Sequence, residues 1–149
     1  YAINLATGAV SHYTNFPLDN VVRFKGRFFG IKADGIYEIG ANTDAGQPIQ
    51  ATLTTFMTNF GESNNKRVLW AYILGRLDDD MDVTVSPDEG LAYTYKTSGA
   101  IDGTMRTHRA KVGRGLKGNY FSFTFENVDG ADFEIDYVDF LYDVTTRAR

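Results

Sequence analysis

The sequence predicts an all-β protein: an antiparallel β-sandwich of about seven strands, preceded by a short β-meander layer. Apolar and polar residues alternate through most of the chain, as they do in strands with one buried face. Residue–glycine pairs separate the alternating segments, as they do in tight hairpins. No segment shows a sustained 3.6-residue period, so helix should be scarce.

The first 40 residues are predicted to form an up-and-down meander of some five short strands. The pairs Lys25-Gly26 and Asp34-Gly35 lie between alternating segments and are typical of hairpin turns. Residues 41–48 then hold Asp44, Gly46 and Pro48 and form the best candidate boundary. We therefore expect a meander module at residues 1–47 and a sandwich domain at residues 48–149.

The sandwich domain has alternating segments at 49–57, 66–77, 81–86, 91–97 and three more between 104 and 144. The last three are separated by short glycine turns, which predicts a meander of neighbouring strands. Phe133, Ile135 and Tyr137 alternate, and the apolar parity then slips to Val138 and the residues after it. A β-bulge near Tyr137 would produce this slip.

The segment 66–77 is apolar on both faces. Val68, Trp70, Tyr72 and Leu74 are expected on one face, and residues 69, 71 and 73 on the other. A sandwich strand needs only one apolar face for its own core, so the second face should be covered by the meander layer or by another chain. The residues we propose for this interface are Trp70, Tyr72, Ile73, Arg106, Arg109 and Lys111.

Charge is unevenly distributed along the C-terminal third. Residues 106–117 carry five basic side chains and no acidic one, whereas residues 126–143 carry seven acidic side chains and no basic one. A polyanion site would need a wider positive field than a chain of net charge −4 offers. Pairing of the two runs across strands, within one chain or between subunits, is the favoured interpretation.

Aromatic side chains suggest a second kind of surface. Trp70, Tyr93 and Tyr95 are residues of the type that bind sugars with their flat faces, and they are the candidate glycan contacts. Tyr and Trp at alternating positions are also ordinary sandwich core, which is the commoner use.

The sequence offers no clear catalytic, metal or cofactor motif. Without cysteine it has no thiolate site or disulfide. Residues 113–118 match the glycine pattern of a dinucleotide fingerprint, but a strand pattern follows them where a helix is required. The acidic stretches 78–82 and 127–132 lack the ligand pattern of a calcium loop. Only two histidines, His12 and His108, are present.

We therefore expect no enzyme activity, no cofactor, no metal and no nucleic-acid partner. The chain also has no uninterrupted apolar run of about 18 residues, so no membrane insertion is expected.

Turn and strand signatures run through nearly the whole chain. They occupy residues 1–10, 33–37, 43–49, 60–61, 66–68, 113–120 and 127–134. On these segments the sequence resembles a family of minor tail or virion structural proteins of long-tailed bacteriophages. The resemblance implies a β-rich, non-enzymatic piece of a tail-tip or baseplate protein in the virion.

The resemblance further implies assembly with other tail or baseplate proteins or with copies of itself, and a role in host attachment. The alternative is a carbohydrate-binding module that recognises a host cell-surface glycan. An enzyme that degrades such a glycan is a distant third.

Overall fold

The computed structural model describes residues 2–3, 5–6, 8, 10–11, 17–40, 43–44 and 46–145 of the chain. Throughout these residues the regular secondary structure is β-strand, without helix. This part of the chain accordingly contains no helix that could span a membrane. The predicted all-β class is confirmed.

The chain divides into two compact units, residues 1–46 and residues 47–149. The predicted boundary lies one residue further along the chain. Gly46, with a φ of 84°, and Pro48, which has no backbone N–H, fall at this division. Each unit is described separately below.

Short antiparallel strands make up the N-terminal unit. Its strands are β1 (Ala2–Ile3), β2 (Val10–Ser11), β3 (Asn20–Phe24), β4 (Arg27–Lys32), β5 (Gly35–Ile39) and β6 (Thr43–Asp44). β1 pairs with β2, and β3, β4 and β5 form a three-stranded meander. Lys25 and Gly26 have positive φ values of 48° and 83°, the backbone of a type I′ turn, which joins β3 tightly to β4.

The three-stranded sheet carries exposed apolar side chains on both faces. Val21 and Phe28 share one face, and Phe24 and Ile36 share the other; each is at least 50% exposed. Among the described residues of this unit, so small a sheet has no second layer that buries these side chains.

The C-terminal unit contains one curled antiparallel sheet of seven strands. After β7 (Gln47–Pro48), its strands are β8 (Thr52–Thr54), β9 (Lys66–Leu77), β10 (Met81–Pro87), β11 (Tyr93–Ser98), β12 (Arg106–Lys111), β13 (Phe121–Asn127) and β14 (Phe133–Val144). The order across the sheet is β14-β9-β12-β11-β10-β13-β8. β11 joins the two halves, because its first part pairs with β10 and its last two residues pair with β12. This architecture is the predicted β-sandwich-like fold.

The core of this unit lies on the inner face of the curl. Phe121, Phe123 and Phe125 of β13 are fully buried, and Phe123 stacks on Phe140 of β14 with 3.8 Å between ring centroids. This contact brings strands from opposite halves of the sheet together. Alternation in β13 thus identifies the buried face, as the sequence predicts.

Two other predictions about strand pairing have opposite outcomes. The hairpin of β10 and β11 is confirmed, and so is the bulge near Tyr137, where the pairing of β14 with β9 skips Asp136. The predicted meander between 104 and 144 is wrong. β12, β13 and β14 are not neighbours, because β13 pairs with β10 and β8 while β12 and β14 both pair with β9.

The segment 49–57 also differs from its prediction. Only Thr52–Thr54 forms a strand, at the edge of the sheet beyond β13. Ile49, Leu53, Phe56 and Met57 are all exposed, because among the described residues this edge strand and the segments that flank it have a neighbouring strand on one side only.

Candidate functional site

The two faces of β9 differ from the predicted sets because the strand contains a bulge. In the pairing with β14, Trp70 lies opposite Leu141 and Val68 lies opposite Tyr142, so residue 69 is skipped. Val68 therefore joins Ala71 and Ile73 on the inner face, and all three are 0% exposed. The prediction that Val68 shares a face with Trp70 is wrong.

Of the four side chains predicted to share a face, Trp70, Tyr72 and Leu74 lie together on the other side of the sheet, and all three are partly buried. Their partners in the register continue this side onto β14 and β12. We call the resulting nine-residue surface the outer face. Its members are Tyr137, Asp139 and Leu141 on β14; Trp70, Tyr72 and Leu74 on β9; and Thr107, Arg109 and Lys111 on β12.

The β14 side of the outer face exposes large apolar groups. Tyr137 is 59% exposed and Leu141 is 47% exposed. They lie beside Leu74 and Trp70 in the register, so the apolar surface is continuous across two strands. Exposed apolar side chains that form one patch are a mark of interaction surfaces, whereas scattered ones are not.

The centre of the outer face is an aromatic pair flanked by cations. The rings of Trp70 and Tyr72 are nearly parallel, at 25°, with 6.3 Å between centroids. The Arg109 guanidinium lies 5.6 Å from the Trp70 ring centroid and the Lys111 ammonium 5.7 Å. Such contacts contribute about 0.5–1 kcal/mol each at exposed sites, enough to orient the two cations beside the ring.

Charges on the outer face are separated by strand. Arg109 of β12 and Asp139 of β14 lie on either side of Tyr72. Among the described residues neither of them is in an ion pair, although Asp139 accepts a hydrogen bond from its neighbour's backbone, Phe140 N, at 2.8 Å. The acidic side chains at the ends of β14 do form ion pairs: Asp143 pairs with Arg67 at 2.9 Å, and Glu134 pairs with Arg76 at 3.1 Å.

The basic and acidic runs do not pair with each other within the described part of the chain. β9 lies between β12 and β14, so their side chains are two strands apart. The prediction of direct pairing within one chain is therefore wrong, and pairing between subunits stays a prediction.

Four of the six proposed interface residues meet on the outer face: Trp70, Tyr72, Arg109 and Lys111. Ile73 does not, because its side chain is fully buried in the core.

Arg106 does not lie on the outer face either. It shares the inner-face parity of His108 and Ala110, and its guanidinium pairs with Asp102 and donates to Thr104 Oγ1 at 2.8 Å. Hydrogen bonds from the side chain and backbone of Thr104, with a smaller contribution from the Arg106 charge, lower the pKa of Asp102. Arg106 thus holds the loop before β12.

The three candidate glycan contacts do not form one platform. Tyr95 lies opposite Val83 on the inner face and packs against the core. Tyr93, 52% exposed, has the same parity as Tyr95, whereas Trp70 is on the outer face.

The two acidic stretches considered for calcium lie side by side. Asp78 N donates to Asp132 O at 3.1 Å, and a shallow depression between them is lined by Asp79, Asp80 and Asn127. The Asn127 amide is already engaged, because it donates to the carbonyls of residues 49 and 131. Within the described residues no group of three or more His, Asp or Glu side chains could hold a metal ion.

Residues 113–118, which match the glycine pattern of a dinucleotide fingerprint, belong to the loop between β12 and β13 and are followed by a strand. Gly118 pairs with Lys66, the first residue of β9, through backbone hydrogen bonds of 2.8 and 3.1 Å.

Lys66 is a buried charged residue that the sequence analysis does not single out. Its side chain is fully buried, and its ammonium donates to Glu62 O at 2.6 Å and Asn64 O at 2.7 Å. The loop before β9 therefore folds around a buried cation. Nothing in the sequence signals this, because a lysine at the start of a strand is ordinarily solvated.

His108 is the second buried polar residue that the sequence did not mark. It is 1% exposed, and neither ring nitrogen has a hydrogen-bond partner among the described residues. Burial among the core side chains is the main cause that lowers the pKa of His108 from its ordinary value. His12 lies outside the described residues.

No protein-family model, no curated protein and no solved structure matches this chain.

Proposed function

We propose that this chain is a non-enzymatic structural domain that acts by protein–protein assembly. The place we propose for it is the tail tip or baseplate of a long-tailed phage virion, with other tail proteins as partners and host attachment as a further role. This placement follows from the resemblance of its turn and strand signatures to tail structural proteins.

The observation that carries the assembly role is the outer face, an apolar surface without a cover among the described residues of its unit. Fully burying a large apolar side chain is worth about 1.5–3 kcal/mol. Tyr137 and Leu141 are roughly half exposed, so a partner that covers them gains about 1 kcal/mol from each. The exposed apolar side chains of the N-terminal sheet support the same role.

Host-glycan binding is the second candidate, favoured by the stacked pair of Trp70 and Tyr72 beside two cations. Its weakness is the separation of Tyr93 and Tyr95 from that pair by the sheet itself. Assembly uses the whole outer face, whereas the glycan candidate uses only its centre.

Amine labelling followed by mass spectrometry tests the assembly role. The Lys111 ammonium lies on the outer face, whereas Lys117 is an exposed lysine on the loop between β12 and β13 and serves as the control. We expect labelling of Lys111, but not of Lys117, to fall in intact virions compared with the isolated chain. Equal labelling of Lys111 in both states, or absence of the chain from virions, would refute the proposal.

The glycan candidate is tested with purified host polysaccharide. Trp70 is the only tryptophan, so its fluorescence reports on the outer face alone. A saturable change of Trp70 emission on titration would favour the carbohydrate-binding module. Calorimetry should then show that the double variant Trp70→Phe/Tyr72→Ala no longer binds the polysaccharide.

A further inference from the structure

The outer face has opposite charges on its two sides. One row across the three strands is Asp139, Tyr72, Arg109, and the next is Leu141, Trp70, Lys111. The acidic group lies on the β14 side, the basic groups lie on the β12 side, and the aromatic pair lies between them. A surface arranged in this way is complementary to itself.

We propose that the partner covering this face is a second copy of the chain, related by a two-fold axis that runs parallel to β9. The proposal rests on the assembly role proposed above. Such an axis keeps the strand direction and exchanges the two sides of the face. It therefore places Arg109 of each copy opposite Asp139 of the other, with the aromatic pairs of both copies in the centre.

Other two-fold arrangements lack this match. An axis perpendicular to the strands would place Arg109 opposite Arg109 and Asp139 opposite Asp139. Edge-to-edge pairing of two β14 strands would bring together two strands that each carry Glu134, Asp136, Asp139 and Asp143. Like charges directly opposite one another are destabilising, so the axis parallel to β9 is favoured.

The size of the face predicts a weak dimer. Two strand spacings of about 4.8 Å and four residue steps of about 3.3 Å give a patch of roughly 10 by 13 Å. This is well below the roughly 800 Å² per partner of a stable interface. We therefore expect dissociation constants of about micromolar to millimolar for the isolated chain, and tighter association where other contacts hold the copies together.

The test is a charge-reversal experiment with mixing, followed by sedimentation velocity and by acrylamide quenching of Trp70. Arg109→Glu and Asp139→Lys each replace two attractive pairs in the dimer by two repulsive ones. We expect each variant alone to associate about tenfold more weakly or worse. An equimolar mixture should associate like the wild type, because the heterodimer again pairs opposite charges.

Mixing separates this proposal from intramolecular effects, since a change within one chain cannot be rescued by another chain. Lys117→Glu makes the same change of charge off the face and should not alter association. Far-UV circular dichroism checks that each variant is folded.

Each of the other outcomes overturns the proposal in a recognisable way. If both single variants weaken association and the mixture does not recover it, two copies meet on this face in another arrangement. If the chain stays monomeric up to millimolar concentration while Lys111 is protected in virions, the assembly role stands and the partner is a different protein. If Trp70 is shielded from acrylamide at every concentration, the chain itself covers the face.

Discussion

Neighbouring residues of β9 should respond in opposite ways to the same substitution. Ile73 is fully buried in the core, whereas Leu74 lies on the outer face. Ile73→Asp places a carboxylate among apolar side chains, and we expect it to cost about 5 kcal/mol or more. Because whole domains are stable by only about 5–15 kcal/mol, this variant should be largely unfolded.

Leu74→Asp should fold. Its carboxylate reaches water on the outer face, so the cost is the lost packing of a partly buried leucine, about 1–2 kcal/mol. The alanine variants give a graded version of the comparison. Ile73→Ala leaves a cavity at a fully buried position, so we expect it to lower the free energy of unfolding by about 4 kcal/mol. Leu74→Ala should lower it by about half of that or less.

Urea titration followed by Trp70 fluorescence measures these differences, and it reports only on the C-terminal unit because that unit holds the single tryptophan. Sedimentation velocity of the folded variants then gives association, which Leu74→Asp should weaken. A larger loss of stability for Leu74→Ala than for Ile73→Ala would show that the inner and outer faces of β9 are exchanged.

Three further substitutions test the interior. Lys66→Met leaves the partly buried carbonyl groups of Glu62 and Asn64 without their donor and should cost about 1–3 kcal/mol in urea unfolding, whereas Lys117→Met, on an exposed loop, should cost less than about 0.5 kcal/mol. Gly75→Ala would press a methyl group onto the Glu134 carbonyl oxygen and should cost about 1–3 kcal/mol, while Gly115→Ala, in open space, should be nearly neutral. Because burial lowers the pKa of His108, the unfolded chain binds its proton first, so stability should fall as the pH drops below about 6.5, by at most about 1.4 kcal/mol per pH unit for this group. His108→Phe should lose that part of the pH dependence. If the urea midpoint of His108→Phe varies between pH 7 and pH 5 as that of the wild type does, the assignment is wrong.

Local patterns in the sequence predict local structure well in this chain. Alternation identifies the buried side of β13, glycine pairs identify the turns of the N-terminal meander, and the parity slip identifies the bulge beside Tyr137. Each of these features depends on residues that are close together in the sequence. Strand order depends on contacts between distant segments, and for this reason the predicted neighbours of β12, β13 and β14 are wrong.

The outer face shows why the candidate site could be predicted only in part. Residue type alone marks Trp70, Tyr72, Arg109 and Lys111 as surface candidates, and the pairing of β12 with β9 brings them together. Ile73 was assigned to the same surface because the β9 pattern is apolar at nearly every position. A uniformly apolar strand does not show where its bulge lies, and the bulge decides which residues are core.

The position of β9 in the sheet explains why both of its faces are apolar. It is an interior strand, with β14 on one side and β12 on the other, so both faces are flanked by neighbours and a side chain on either face can join a continuous patch. The inner patch is closed by β13, through the contact of Phe140 with Phe123. The outer patch has the same central strand and no closing layer among the described residues of this unit, and the acidic and basic groups flank it without meeting. Apolar residues at the centre, with opposite charges at the sides that form no ion pair with each other among the described residues, support the proposed interface with another chain.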